Sequence, residues 1–155
     1  MLKSIEALKN EWEYVRGITL CFLEKLSDVD LHKKFPRNEL NTILLQCNEL
    51  YDIQQNYLEA IRTHSMEFVK HNLYIDSAEE LVQKMKKLDI ELKKQLESLV
   101  GEECISWFGE KKDIHEHLCA MIDHEMMHVG QIVAFCYAVG IVIPEQVVKD
   151  MSLDG

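Results

Sequence analysis

Apolar residues recur along this chain at alternating steps of three and four, the spacing that lines one face of an α-helix. Four stretches carry such a stripe. The first uses Ile5, Leu8, Trp12, Val15, Thr19, Phe22 and Leu26, then fades over Ser27-Asp28-Val29-Asp30 into a connection that reaches Pro36-Arg37-Asn38. The second uses Leu40, Ile43, Cys47, Leu50, Gln54, Tyr57 and Ile61 and fades between Thr63 and His71. Ser77 followed by Glu80 reads as a capping box at the head of the third, whose stripe is Leu81, Met85, Leu88, Leu92 and Leu99, with Gly101 as its end. The fourth runs from about Asp113 to Val139 with Ile114, Leu118, Met121, His128, Ile132, Phe135 and Val139 in register, and Gly140 stops it. Pro144 can start a short last helix through Val148. The segment from Gly101 to Lys112, with Trp107 and Phe108, reads as a loop packed over a bundle end. The pattern predicts an all-α fold: a four-helix bundle with a short C-terminal helix, one domain over residues 1–155.

Composition agrees with long helices. Only two prolines and six glycines interrupt the chain. A formal net charge of −10 repels phosphate backbones, so nucleic acid is not an expected partner. Lys84-Met85-Lys86-Lys87 and Lys93-Lys94 alternate with acids on what reads as a solvated helix face. The five cysteines form no C-x-x-C pair and no even framework, and Cys21, Cys47 and Cys136 fall in apolar runs as small core residues. With no signal-peptide pattern and no membrane-length apolar run, no membrane is expected, and a cytoplasmic protein follows.

Candidate chemistry sits in the fourth stripe, at His124-Glu125-Met126-Met127-His128-Val129-Gly130-Gln131. Histidines four apart on a helix lie about 40° apart in azimuth and roughly 6 Å apart along the axis, so one divalent ion can take both imidazoles. The spacing also fits the His-Glu-x-x-His zinc signature of helical metalloproteases. A protease needs a third ligand and a cleft with an edge strand, and no strand-rich segment is predicted. Two histidines on an amphipathic helix can also exist without an ion. Two imidazoles alone hold an ion weakly, and bundle interiors recruit further donors from facing helices. On the second stripe the polar interruptions are Gln46, Asn48, Glu49, Gln54 and Gln55, of which Glu49 alone ionises. Glu49 shares a face with Ile53 and Tyr57, where a carboxylate is costly to bury unless paired or metal-bound; a partly exposed seam would also accommodate it. Glu125 is expected to face another helix or solvent, and His117, two turns before His124, is too far along the axis to share its ion.

Met121-Ile-Asp-His-Glu-Met-Met-His-Val-Gly-Gln131 is followed by Ile132, Val133 and the closing Gly140-Ile-Val-Ile-Pro144-Glu145. Earlier come Trp12 and Arg16, Leu26-Ser27-Asp28-Val29-Asp30-Leu31, Asn41-Thr42-Ile43 and Asp52-Ile53-Gln54-Gln55-Asn56-Tyr57. On these segments, the first above all, the chain resembles the DinB-like (DinB/YfiT) metal-binding four-helix bundles. The resemblance implies a third ligand from the second helix, usually a histidine, at the position Glu49 occupies. The chain also has Val129 where the family commonly has a basic residue. The implied metal site is Glu49, His124 and His128, and imidazole nitrogens favour zinc or nickel over magnesium. The implied activity is a metal-dependent small-thiol S-transferase or a hydrolase-like reaction, with a low-molecular-weight thiol and an electrophile as partners. Tyr57, Met121 and Phe135 are expected to wall an apolar pocket for the electrophile. The alternative is a non-catalytic bundle, metal-stabilised or metal-free, with a stress or sensing role. Either form is expected to be a homodimer, with Leu20 and Ala134 as compatible exposed positions.

Overall fold

In the computed structural model, which describes residues 1–71 and 73–154, the four stripes become α1 (Lys3–Lys25), α3 (Ile43–Thr63), α4 (Ala78–Ser98) and α5 (Ile114–Val139). The connection after α1 contains the short α2 (Asp28–Leu31), and α6 (Glu145–Asp150) follows Pro144. Helix α1 packs on α4 and α5, and α3 packs on the same two, so each long helix lies against two others. This is the all-α bundle expected from the pattern.

The segment between α4 and α5 corrects the sequence reading. It is an antiparallel hairpin, β2 (Cys104–Trp107) with β3 (Glu110–Asp113), not an irregular loop. The two-residue β1 (Ser65–Met66) adds in parallel to β2, giving a three-stranded sheet in the order β1-β2-β3. Phe108 at the hairpin tip is not packed over the bundle end: it is 76% exposed, stacked on the ring of Phe68 and edge-on to that of Trp107. Ile105 and Met66 do face inward and close that end of the core.

Helix ends follow local chemistry. Asp113 accepts from the Glu116 backbone N–H while the Glu116 carboxylate accepts from the Asp113 backbone N–H, so the capping box lies on α5. At α4 only half of the expected box forms: the Ser77 hydroxyl accepts from the Glu80 backbone. Gly140 ends α5 in the left-handed region at φ 68°, where a side chain would be strained.

The core is divided. Phe22, Ile43, Leu44, Cys47, Met85, Val129, Ile132 and Cys136 belong to one apolar cluster, and Trp12, Tyr57, Leu92, Leu96, Ile105, Ile114 and Met121 to the other. Between them the four long helices build a buried polar layer: Arg16 and Thr19 from α1, Gln54 from α3, Asp89 from α4 and Glu125 from α5. Arg16 Nη2 donates to Gln54 Oε1 at 2.6 Å and lies 3.1 Å from Glu125 Oε2. Its Nε lies 3.4 Å from Asp89 Oδ1, close enough for charge attraction although no hydrogen bond forms there. Gln54 Nε2 donates to Asp89, and the Thr19 hydroxyl donates to Glu125 Oε1 at 2.7 Å. Burial pushes both carboxyls up, with Arg16 pulling them back. Of the two positions expected to be exposed, Ala134 is exposed, while Leu20 is half-buried against the first cluster.

His117 is fully buried and fully bonded. Its Nδ1 accepts from Trp107 Nε1 at 3.2 Å, which leaves Nε2 to donate to the Tyr57 carbonyl at 3.1 Å. Burial holds its pKa down at about 4. The unfolded chain therefore takes up a proton below about pH 6.5 that the folded chain refuses. The contribution of this group is complete above about pH 6.5 and is lost as the pH falls towards 4, by about 2–3 kcal/mol. Urea titrations of chelator-treated protein at pH 7 and pH 4.5 are expected to show this loss, and His117→Gln should reduce the slope by that share, His128, also held down at about 4, retaining its own. An identical pH slope in the variant would show that His117 is not responsible.

Candidate metal centre

Glu49 lies on α3, and His124 and His128 on α5. Their nearest donor atoms all lie within 4.8 Å of one another. The sequence-predicted residues are therefore brought together. The azimuth of the histidine pair follows from Glu125. Once that carboxylate is directed at Arg16 and Thr19 on α1, residues 124 and 128 are carried together to a different side of the helix, because each residue turns it by about 100°. That side faces α3. The two imidazole centroids are 4.8 Å apart, with their planes inclined at 66°.

Gln46 settles the tautomer of His128. Its amide nitrogen donates to the Leu40 carbonyl at 3.3 Å, so its oxygen is turned to His128 Nδ1 at 3.1 Å. Nδ1 must carry the proton, which leaves the Nε2 lone pair free. That nitrogen lies 3.7 Å from Glu49 Oε2. Burial, aided by His124 and Arg37, lowers the His128 pKa to about 4, and burial lowers that of His124 as well. Both rings are therefore neutral at physiological pH, the form that ligates. Burial raises the pKa of Glu49, against the pull of Arg37 and Lys70.

The fit of an ion can be judged from Glu49. Its Oε2 is buried without any hydrogen-bond partner, a costly arrangement for a carboxylate oxygen facing a deprotonated ring nitrogen. A cation between them would satisfy both. Tetrahedral ligand atoms at about 2.0–2.2 Å from zinc stand roughly 3.4 Å from one another, so the three donors need only side-chain adjustment to close on an ion. One carboxylate and two neutral imidazoles suit zinc or nickel in donor chemistry.

Glu49 also lines a cleft of about 450 Å³ walled by Leu40, Leu45, Ile53 and Leu73, with Glu39, Asp52 and Lys70 as charged members. The expected apolar pocket differs from this cleft. Tyr57 and Met121 line a much smaller gap beside His124, Arg16 and Glu125, and Phe135 is stacked on Phe35 at 4.5 Å. The roles of Gln46 and Gln131 are absent from the sequence reading, although Gln46 is legible there as a polar interruption of an apolar stripe. Gln131 accepts from Arg37 Nη1 at 2.8 Å, which ties the connection before α3 to the face of α5 that carries His128.

The site predicts a ligand-orientation effect. Gln46→Leu removes the acceptor for the His128 Nδ1 proton and frees the ring to adopt the wrong tautomer. Metal affinity is expected to fall by about 10–100-fold, as for other partners of ligating histidines. Competition with a chromophoric zinc chelator checks it, and unchanged affinity would show that Gln46 does not orient the ring.

A helical bundle with two histidines on one helix and a carboxylate on its neighbour is a metal-site architecture. The family model described as the DinB family matches residues 1–146, and the chain belongs to this family. A crystal structure of a DinB-like protein from Bacillus cereus ATCC 10987 has the same fold: the TM-score is 0.69 at 18% identity, with 90% of this chain and 95% of that chain covered. No curated protein sequence matches. Among the described residues no helix is long and apolar enough to cross a membrane.

Proposed function

We propose that this chain holds one divalent ion, zinc or nickel, between Glu49, His124 and His128, and uses it to promote transfer of a small thiol to an electrophile. The observation that carries the reading is the buried, unpartnered Glu49 Oε2 opposite the free Nε2 of His128. An ion with three protein ligands keeps an open position and makes a thiol or water bound there ionise near neutral pH. The protein's own contributions are separable. Gln46 fixes the His128 tautomer. Glu125, locked to Arg16 and Thr19, keeps the pair turned to α3. Leu40, Leu45, Ile53 and Leu73 offer apolar surface to the electrophile beside Glu49. In the reaction the thiol loses its proton to solvent, sulfur bonds to the electrophilic carbon, and the leaving group departs with its electron pair.

A second reading, a non-catalytic bundle, draws support from the buried polar layer, which ties the four long helices together without an ion. The experiment that separates the two is conjugation of a chlorinated aromatic electrophile with a panel of small thiols, followed by chloride release. The enzymatic reading expects zinc- or nickel-supplied protein to exceed His124→Ala by at least about 100-fold, the scale of an activated nucleophile. Equal rates favour the non-catalytic bundle.

A further inference from the structure

The connection between α2 and α3 is folded against the candidate metal centre. The Phe35 backbone N–H donates to the Asn41 carbonyl at 2.7 Å, the Arg37 N–H donates to the Phe35 carbonyl at 2.8 Å, and the Phe35 ring stacks on Phe135 of α5. Gln131 lies between His128 and Phe135 on that helix, one turn from each, so all three share a face. Arg37 Nη1 donates to the Gln131 side-chain oxygen at 2.8 Å, which fixes the half-buried guanidinium beside the histidines.

What holds Arg37 is a neutral amide. Among the described residues Arg37 forms no ion pair, and its other side-chain N–H groups, on Nε and Nη2, donate to no protein acceptor. Those two form the side-on fork that matches a carboxylate in two parallel hydrogen bonds. Its charge is not compensated by the residue that holds it. The acidic neighbours do not cancel it. Asp52 is occupied by the His71 ring and backbone, and among the described residues Glu39, which lines the cleft with Lys70, forms no ion pair with Arg37. Glu49 is committed to the ion under the reading above.

We propose that Arg37 is the specificity-determining residue of this site, taking through its free Nε–Nη2 edge the carboxylate of a small ligand bound beside Glu49, His124 and His128. The inference rests on the metal reading, and it selects acidic thiols over neutral ones despite the acidity of the chain as a whole. Gln131 is the positioning residue: it occupies Nη1 and leaves the other edge free for the ligand.

The test uses cobalt-loaded full-length protein and two thiols of matched length, 4-mercaptobutyrate and 4-mercaptobutanol, because the carboxylate of the former is too remote to chelate the same ion readily. Binding is followed by thiolate-to-cobalt absorption, which needs no turnover. The wild type is expected to bind the acid at least about tenfold more tightly than the alcohol, in keeping with a charge-assisted pair. Arg37→Gln should bring the ratio close to one while cobalt content stays unchanged, and Arg37→Lys should restore part of it. A loss of loop structure would weaken both thiols alike, so the ratio isolates the charge. Equal binding of the two thiols by the wild type, or a preference that survives in Arg37→Gln, overturns the proposal and leaves the metal reading standing. Failure of the wild type to take up cobalt overturns both.

Discussion

The His124→Ala/His128→Ala double variant is expected to lose its divalent ion altogether. Removing both imidazoles leaves Glu49 alone, and a single half-buried carboxylate cannot compete with water for zinc or nickel. The loss should exceed the 10–100-fold typical of removing an orienting partner by several further orders of magnitude. Glu49→Ala should be milder, because the His pair on α5 survives, with Gln46 still holding His128. Elemental analysis of untagged protein after dialysis against zinc checks this. Stoichiometric metal in the double variant would place the ion elsewhere and refute the donor set. His128 is buried and His124 half-buried, so circular dichroism of the double variant is read beside its metal content to show that the fold is kept.

Arg16→Ala is expected to have the largest effect on stability, about 3–5 kcal/mol, because it leaves Glu125 and Asp89 buried without their common cation. It also removes the donor to Gln54 Oε1. Glu125→Gln should cost less, since an amide oxygen can still accept from Thr19 and Arg16. Urea denaturation of metal-free protein measures both. A loss below about 1 kcal/mol in Arg16→Ala would mean that the layer is solvated or rearranges when its cation is removed. The same variant should weaken zinc binding without touching a ligand, because Glu125 would lose the partner that directs it towards α1. The layer acts here as a register device: four helices of similar apolar pattern can slide or rotate, and only one alignment brings Arg16, Gln54, Asp89 and Glu125 together.

The bundle and the ligand set were legible because both follow from helical periodicity. Stripes at steps of three and four located all four long helices, and the same geometry brought His124 beside His128. Glu49 stood out as the ionisable one among the polar residues that interrupt the second stripe. Three kinds of feature were not legible. Strand β3 is Glu110-Lys111-Lys112-Asp113, which has no apolar alternation, and β1 is only two residues long. Their pairing depends on tertiary placement at the open end of the bundle, so period-two reasoning had nothing to detect. The inward turn of Glu125 depends on Arg16, more than a hundred positions earlier, and no local pattern joins them. The Arg37–Gln131 contact likewise closes across the fold, from a segment that read only as a connection. Tyr57, Met121 and Phe135 do not share one cavity for a related reason: Phe135 carries the stripe of α5, but its ring is taken up by Phe35, from a segment that the stripe does not include.

The charged sequence of β3 has a consequence for how these molecules behave in a crowded solution. In the order β1-β2-β3 the third strand is an edge, and its outer backbone groups offer themselves to any extended chain that approaches. Four consecutive charged side chains surround that edge, and Lys112 lies over the Trp107 ring with its Nζ 4.3 Å from the centroid. An incoming strand would have to desolvate these groups before pairing. The hairpin can therefore close the bundle end without becoming a template for polymerisation, a protection that an apolar strand in the same place would forfeit.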